Sequence, residues 1–172
     1  MECRAKTTVS VVAIIVCTVC PVAGGAGAEA EAVGAVLDAF HRAASEADGE
    51  RYFGFFAEDA VFLGTDASER WSVSEFKAFA EPYFSAGRGW TYTPQERHVV
   101  VSADGATAWF DELLSNDAYG TCRGSGVLLL TESGWRIAQY NLSIPIPNEL
   151  AAEVVAIIGA GGSLEGERVR SR

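Results

Sequence analysis

The sequence predicts an α+β domain in which helices come first and a curved antiparallel sheet follows. Three observations point there. Apolar residues recur at helical spacing up to about residue 85. After Gly89 the period drops to two. The alternating segments are then joined by tight turn sequences, Asp104-Gly105 and Glu132-Ser133-Gly134. Helices segregated from a meander of hairpin-linked strands imply one sheet with its inner face resting on the helical layer. A bent sheet covered at one end leaves a cone open at the other, and that opening is the natural pocket.

Each element has a local cause. Glu31 to Ala47 carries Val33, Val36, Leu37, Phe40 and Ala44 on one helical face, and Asp48-Gly49 ends it. A short helix from Glu50 to Phe56 is crowded with aromatics. Ala60-Val61-Phe62-Leu63 reads as a short buried strand closed by Gly64-Thr65-Asp66. Ser72-Val73-Ser74-Glu75 is a capping box opening a third helix to about Ser85, with Pro82 predicting a kink or an early end. Strands are expected over 91–102, 106–115, 122–131 and 135–143, with Pro94 marking an edge or bulge in the first. Glu149 to Ile158 forms a terminal helix, and 159–172 a mobile tail. The order is α-α-β-α-β-β-β-β.

The first 28 residues read as a secretory leader rather than as fold. Arg4 and Lys6 precede an apolar run from Val9 to Cys20, and Ala26-Gly27-Ala28 supplies the small-residue cleavage pattern before Glu29. The run is shorter than the roughly 17–25 residues of a membrane span. The expectation is cleavage after Ala28, a secreted or periplasmic product and no stable membrane association afterwards, with a retained anchor as the alternative.

Composition narrows the function. The chain has 172 residues, 13 Lys+Arg against 23 Asp+Glu and a net charge of −10. An acidic chain without a basic run lacks the means to hold a phosphate backbone, so no nucleic-acid partner is expected. Beyond the leader only Cys122 remains, so no internal disulfide can form. The two histidines, His41 and His98, sit in no metal-ligand spacing, and no phosphate-loop or dinucleotide motif occurs. No metal and no organic cofactor is expected. Gly120, Gly124 and Gly126 precede a strand rather than open a helix, and read as structural.

This order and the residues that punctuate it resemble the SnoaL-like branch of the nuclear transport factor 2-like superfamily. The resemblance spans roughly Ala32 to Asn148. It rests on Phe55-Phe56-Ala57-Glu58-Asp59-Ala60-Val61-Phe62, Leu63-Gly64-Thr65-Asp66, Glu69-Arg70-Trp71, Gly89-Trp90-Thr91, Ala108-Trp109-Phe110-Asp111-Glu112 and the run from Gly134 to Ser143. It implies a cone-shaped fold. The superfamily includes isomerases, cyclases, dehydratases and oligomerisation domains, so activity must be argued from the site.

Alternation along 106–115 separates Thr107, Trp109, Asp111 and Leu113 from Ala108, Phe110, Glu112 and Leu114. The resemblance implies that Asp111 faces inward. Beside Trp109 in an apolar cone its carboxyl becomes a candidate general base, and the plainer alternative is an acceptor for Arg97 or Arg123. Strict alternation on the last strand groups Trp135, Ile137, Gln139, Asn141 and Ser143. Gln139 and Asn141 are then ligand-orienting amides, or a polar face at a dimer interface. Relatives often carry histidines here, so this chain departs from them. Asp66 is a second candidate acid/base, or simply a turn residue. Trp71, Trp90 and Tyr92 are candidates for the entrance, with core packing as the plainer alternative, and Arg123 is a further ligand-binding candidate. His98 reads as a sheet histidine, His41 as solvated and Cys122 as a small buried residue.

Three functions are consistent with this reading. The first is a homodimeric binder of a small, mostly apolar molecule. The second is a cofactor-independent isomerase- or lyase-type enzyme using Asp111 as base, assisted by Asp66 or Asn141. The third is a structural homodimerisation module with a filled core.

Overall fold

A computed structural model describes residues 25–160. The leader's apolar run and the tail from 161 onward lie outside the described residues. Helix α1 spans Ala26–Ser45, α2 Gly49–Gly54 and α3 Val73–Phe84. The strands are β1 Phe56–Leu63, β2 Arg70–Ser72, β3 Thr93–Val101, β4 Thr107–Asn116, β5 Gly120–Thr131 and β6 Gly134–Ser143. A single 3₁₀ turn, Asn148–Leu150, leads into α4, Ala151–Gly159. The architecture is the expected α+β cone: N-terminal helices packed on one curved, unclosed sheet.

Two features go beyond the expected meander. The sheet runs β2-β1-β6-β5-β4-β3, and β1 pairs with β6 in parallel, so the sheet is mixed. The short strand β2 pairs antiparallel with β1 and places Trp71 opposite Phe62. Both pairings join segments far apart in the chain or too short to show a period.

The local rules hold closely where they are local. Ser72 and Glu75 complete the reciprocal capping box of α3. Helix α3 continues two residues past Pro82 and stops. Helix α1 ends with Ala47 at φ 55°, in the left-handed region, and the Asp48 amide returns to the Ala43 carbonyl. Asp48 then caps α2 by accepting from the Arg51 amide at 3.0 Å. Strand β3 shifts register between Pro94 and Glu96.

The core lies between α1 and the inner sheet face. It includes Val33, Leu37, Phe40, Tyr52, Phe76, Phe110, Leu128, Ile137 and Tyr140. Gly89 sets how the chain re-enters the sheet. A Cβ there would meet the Ala44 carbonyl oxygen, so only glycine lets the chain lie against the end of α1. The Trp90 amide donates to that same carbonyl at 3.2 Å. Trp90 is thereby held over the pocket.

Because backbone rather than a movable side chain blocks that position, Gly89→Ala is expected to cost about 1–3 kcal/mol, the usual range for overpacking. Urea unfolding measures it. Gly54, with open space around it, is the control, and Gly54→Ala is expected to leave the midpoint at or slightly above wild type.

Candidate functional site

The open end of the cone is a cavity of about 220 Å³. Phe62, Trp71, Phe79, Trp90, Tyr92 and Tyr119 form most of its wall, with Gly64, Thr65 and Glu69 at the rim. Below it lies a small inner chamber of about 20 Å³, bordered by Phe40, His41, Tyr52 and Tyr140. Phe62, Trp90, Tyr92 and Leu142 line both spaces. The inner chamber is the size of one water molecule or a small polar substituent. A larger hollow of about 430 Å³, beside Arg51 and Arg136, opens broadly to solvent and touches none of the buried polar groups described below.

The wall has a preferred orientation. Trp71 stacks on Phe79 at 4.8 Å and on Phe76 at 5.4 Å. Phe76 stacks on Phe62 at 3.9 Å, and Phe62 lies within 5° of parallel to Tyr140. A ladder of near-parallel rings thus descends from the rim to the floor. Such a wall favours a flat apolar guest, which can add one more ring to the stack.

The floor is polar. Glu112 is 1% exposed. Its Oε1 accepts from His41 Nε2 at 2.7 Å and from the Tyr140 hydroxyl at 2.9 Å. Its Oε2 accepts from Arg97 Nε at 2.8 Å. Arg97 also donates to the Gly34 carbonyl at 3.0 Å and to Asp38 at 2.7 Å. Burial alone would push the Glu112 carboxyl up. The hydrogen bond and charge of His41, then those of Arg97, outweigh that and hold it below the usual carboxylate range. Burial, together with the Glu112 charge, pushes the Tyr140 phenol well up, so it stays a donor. A carboxylate only accepts, so His41 donates through Nε2 and Nδ1 is the nitrogen left to exchange a proton.

A model of the SnoaL-like domain matches residues 33–147, well over half of the chain. The chain belongs to the SnoaL-like domain family. No match is found among the curated proteins. Among solved structures, this SnoaL-like domain is similar to an NTF2-like protein of unknown function from Pseudomonas putida KT2440. The identity is 15%, the TM-score 0.61, and the match covers 73% of this chain and 93% of that one. It is also similar to a candidate dehydratase of the NTF2-like family from Streptomyces avermitilis, at 16% identity and TM-score 0.60, covering 70% and 99%. A third is a cystatin-like fold domain of unknown function from Nostoc punctiforme PCC 73102, at 17% and 0.61, covering 77% and 86%. Likeness at these identities establishes the fold.

Within the SnoaL-like domain the residues expected at the site divide sharply. Trp71 and Tyr92 line the cavity, as does Trp90. Asp111 does not face inward. It lies on the outer sheet face, 3.4 Å from His98 Nδ1, with its side chain 58% exposed. The inward face of β4 carries Ala108, Phe110, Glu112 and Leu114. Trp109, 48% exposed, and Arg123 share the outer face with Asp111.

Gln139 and Asn141 are outside as well, for a different reason. Val127 pairs with Gln139, yet Leu128 pairs with Ile137, so Ala138 is an extra, bulged residue. The bulge reverses the alternation. Trp135 and Ile137 face in, and beyond it Tyr140 and Leu142 face in instead of Gln139 and Asn141. Asp66 is an exposed turn residue, accepting from the Ser68 amide and hydroxyl, which hold its carboxyl below the usual range. His98 is a sheet histidine on the outer face. His41 is not solvated but 7% exposed at the floor. Cys122 is fully buried, and burial pushes its thiol up.

A signal for the floor was present in the sequence. Glu112 is the one charged residue on the otherwise apolar face of β4, and His41 follows Leu37 at i+4 in the apolar stripe of α1. No group of three potential metal ligands exists among the described residues.

The charge on Glu112 couples folding to pH. Its folded value lies below the ordinary carboxylate value of about 4.3. The stabilisation is therefore fully present above that value and is lost as pH falls through the folded one. Glu112→Gln, which removes the buried one of the two carboxylates facing Arg97 and the partner of His41, is expected to cost about 3–5 kcal/mol at pH 7. Thermal melts across pH 2–7 are expected to show the gap between wild type and variant narrowing at the acid end.

Proposed function

We propose that this SnoaL-like domain binds a small, flat, mostly apolar molecule, stacked against the ring ladder with one polar substituent directed to the floor. The observation that carries this reading is the continuity of an aromatic cavity with a water-sized chamber bordered by His41 and Tyr140. A core filled by its own side chains would leave neither space. The leader in the sequence supports export of the domain to a secreted or periplasmic location. No described helix is long and apolar enough to cross a membrane.

The outer sheet face supports homodimerisation. Val100, Trp109, Val127 and Gln139 lie side by side across four strands, and Leu129 adds to the same face. Exposed large apolar residues gathered on one sheet face favour burial against a second copy.

Calorimetric titration with 2-naphthalenemethanol tests both assignments. Trp71→Ala is expected to weaken binding about tenfold, the equivalent of roughly 1.4 kcal/mol. Trp109→Lys is expected to leave the affinity unchanged and to shift sedimentation from dimer to monomer. If Trp109→Lys abolishes binding while Trp71→Ala does not, the pocket assignment fails.

A second reading is supported by the buried His41–Glu112 pair. Glu112 fixes the tautomer of His41 and compensates its charge, the arrangement a histidine needs to take a proton from carbon. On this reading the base is His41, not an aspartate, and the reaction is a proton transfer of the isomerase or lyase type. The exchange of the acidic α-protons of 2-tetralone into D2O, followed by NMR, tests it. Wild type is expected to accelerate exchange, and His41→Gln to reduce that acceleration by roughly 10²-fold or more. Equal rates in the two proteins would leave binding as the whole function.

A further inference from the structure

We infer that the pocket prefers an organic cation, an aryl group carrying an ammonium, over neutral or anionic molecules of the same size. The inference rests on the small-molecule reading above and specifies its ligand class: the aryl group keeps its place in the ring ladder, and a cationic substituent, unlike a neutral one, turns to Glu69 at the rim.

The walls supply the first argument. Trp71, Phe79, Trp90, Tyr92 and Tyr119 surround one space, and ring faces present negative electrostatic potential to a guest. The charges supply the second. Glu69 is the one formally charged residue lining the cavity, and no Lys or Arg lines it. Glu69 Oε2 accepts only the Asp66 amide, at 3.1 Å, and the carboxylate is in no ion pair among the described residues. Arg88, on the loop after α3, is occupied over the Tyr83 ring, 5.5 Å from its centroid. His41 at the floor is committed to Glu112, and Arg97 behind it to Glu112 and Asp38. An anionic guest would therefore meet the Glu69 carboxylate at the rim and, below it, only cationic groups already answered by Glu112 and Asp38.

The field of Glu69 reaches into the cavity. Tyr92 is pushed up to about 12 by burial first, with the nearby Cys122, Tyr119 and Glu69 adding to the effect. The Glu69 contribution, the smallest of these, has the sign that favours a positive guest beside Tyr92. The chain as a whole, at −10, attracts cations from a distance.

The experiment compares 2-naphthylmethylammonium, 2-naphthalenemethanol and 2-naphthoate by calorimetry on the same protein. The ammonium is expected to bind about fivefold or more tighter than the alcohol, with the carboxylate weakest, the gap shrinking as salt is raised. Glu69→Gln keeps an oxygen that can accept from the Asp66 amide. It is expected to bring the ammonium to within about twofold to threefold of the alcohol measured on the same variant. Trp71→Leu, which keeps the apolar wall but removes the ring face, is expected to cut the ammonium more than the alcohol. An alcohol that binds as tightly as the ammonium to wild type overturns the cation preference and leaves the small-molecule reading standing. No binding by any of the three overturns both.

Discussion

The constraint on which the fold turns is the buried charge of Glu112. A carboxylate with almost no exposure is tolerable only when its charge is answered and its oxygens are hydrogen-bonded. Here the answers come from three directions. His41 reaches it from α1, Arg97 from β3 and Tyr140 from β6. Arg97 then returns to α1 through Gly34 and Asp38. The leading helix and three strands of the sheet are thus tied to a single point, and the spacing of helix from sheet is set by polar geometry as well as by apolar filling. Gly124 belongs to the same arrangement. A Cβ there would run into the Tyr140 hydroxyl and the Glu112 carboxylate, so the strand between them has no room for a side chain.

The two faces of the sheet carry different work. Inward, the rings stand in a stack above the polar floor. Outward, Trp109, Val100 and Leu129 form an apolar field beside the Glu96, His98 and Asp111 cluster. That cluster is well exposed and screened by solvent, so it adds little to stability. The contrast between Asp111 and Glu112, neighbours in the chain, shows how far environment rather than residue type decides a carboxylate's role.

The elements that sequence alone reveals are those with local causes. The α3 capping box, the helical stripe of α1, the break near Pro94 and the Asp104-Gly105 hairpin all depend on residues within a few positions of one another. For Trp71, Trp90 and Tyr92 the sequence leaves entrance and core both open, and the three do both, lining the cavity while packing against the core. The facing of β4 was ambiguous because two acids stand side by side and either could be the exception on its face. The pairing of β1 with β6 joins residues far apart in the chain. His41, expected to be solvated, is buried because it continues the stripe of Val33, Leu37 and Phe40.

The bulge at Ala138 has a consequence for reading relatives of this protein. Beyond it, inside and outside exchange places, so correspondence between two chains depends on where each carries its extra residue. A gap set one position early or late would put an amide where a phenol belongs and turn a bonded floor into an invented wall. Comparisons of pocket chemistry across such distant kin therefore need the kink located in space before any letters are paired.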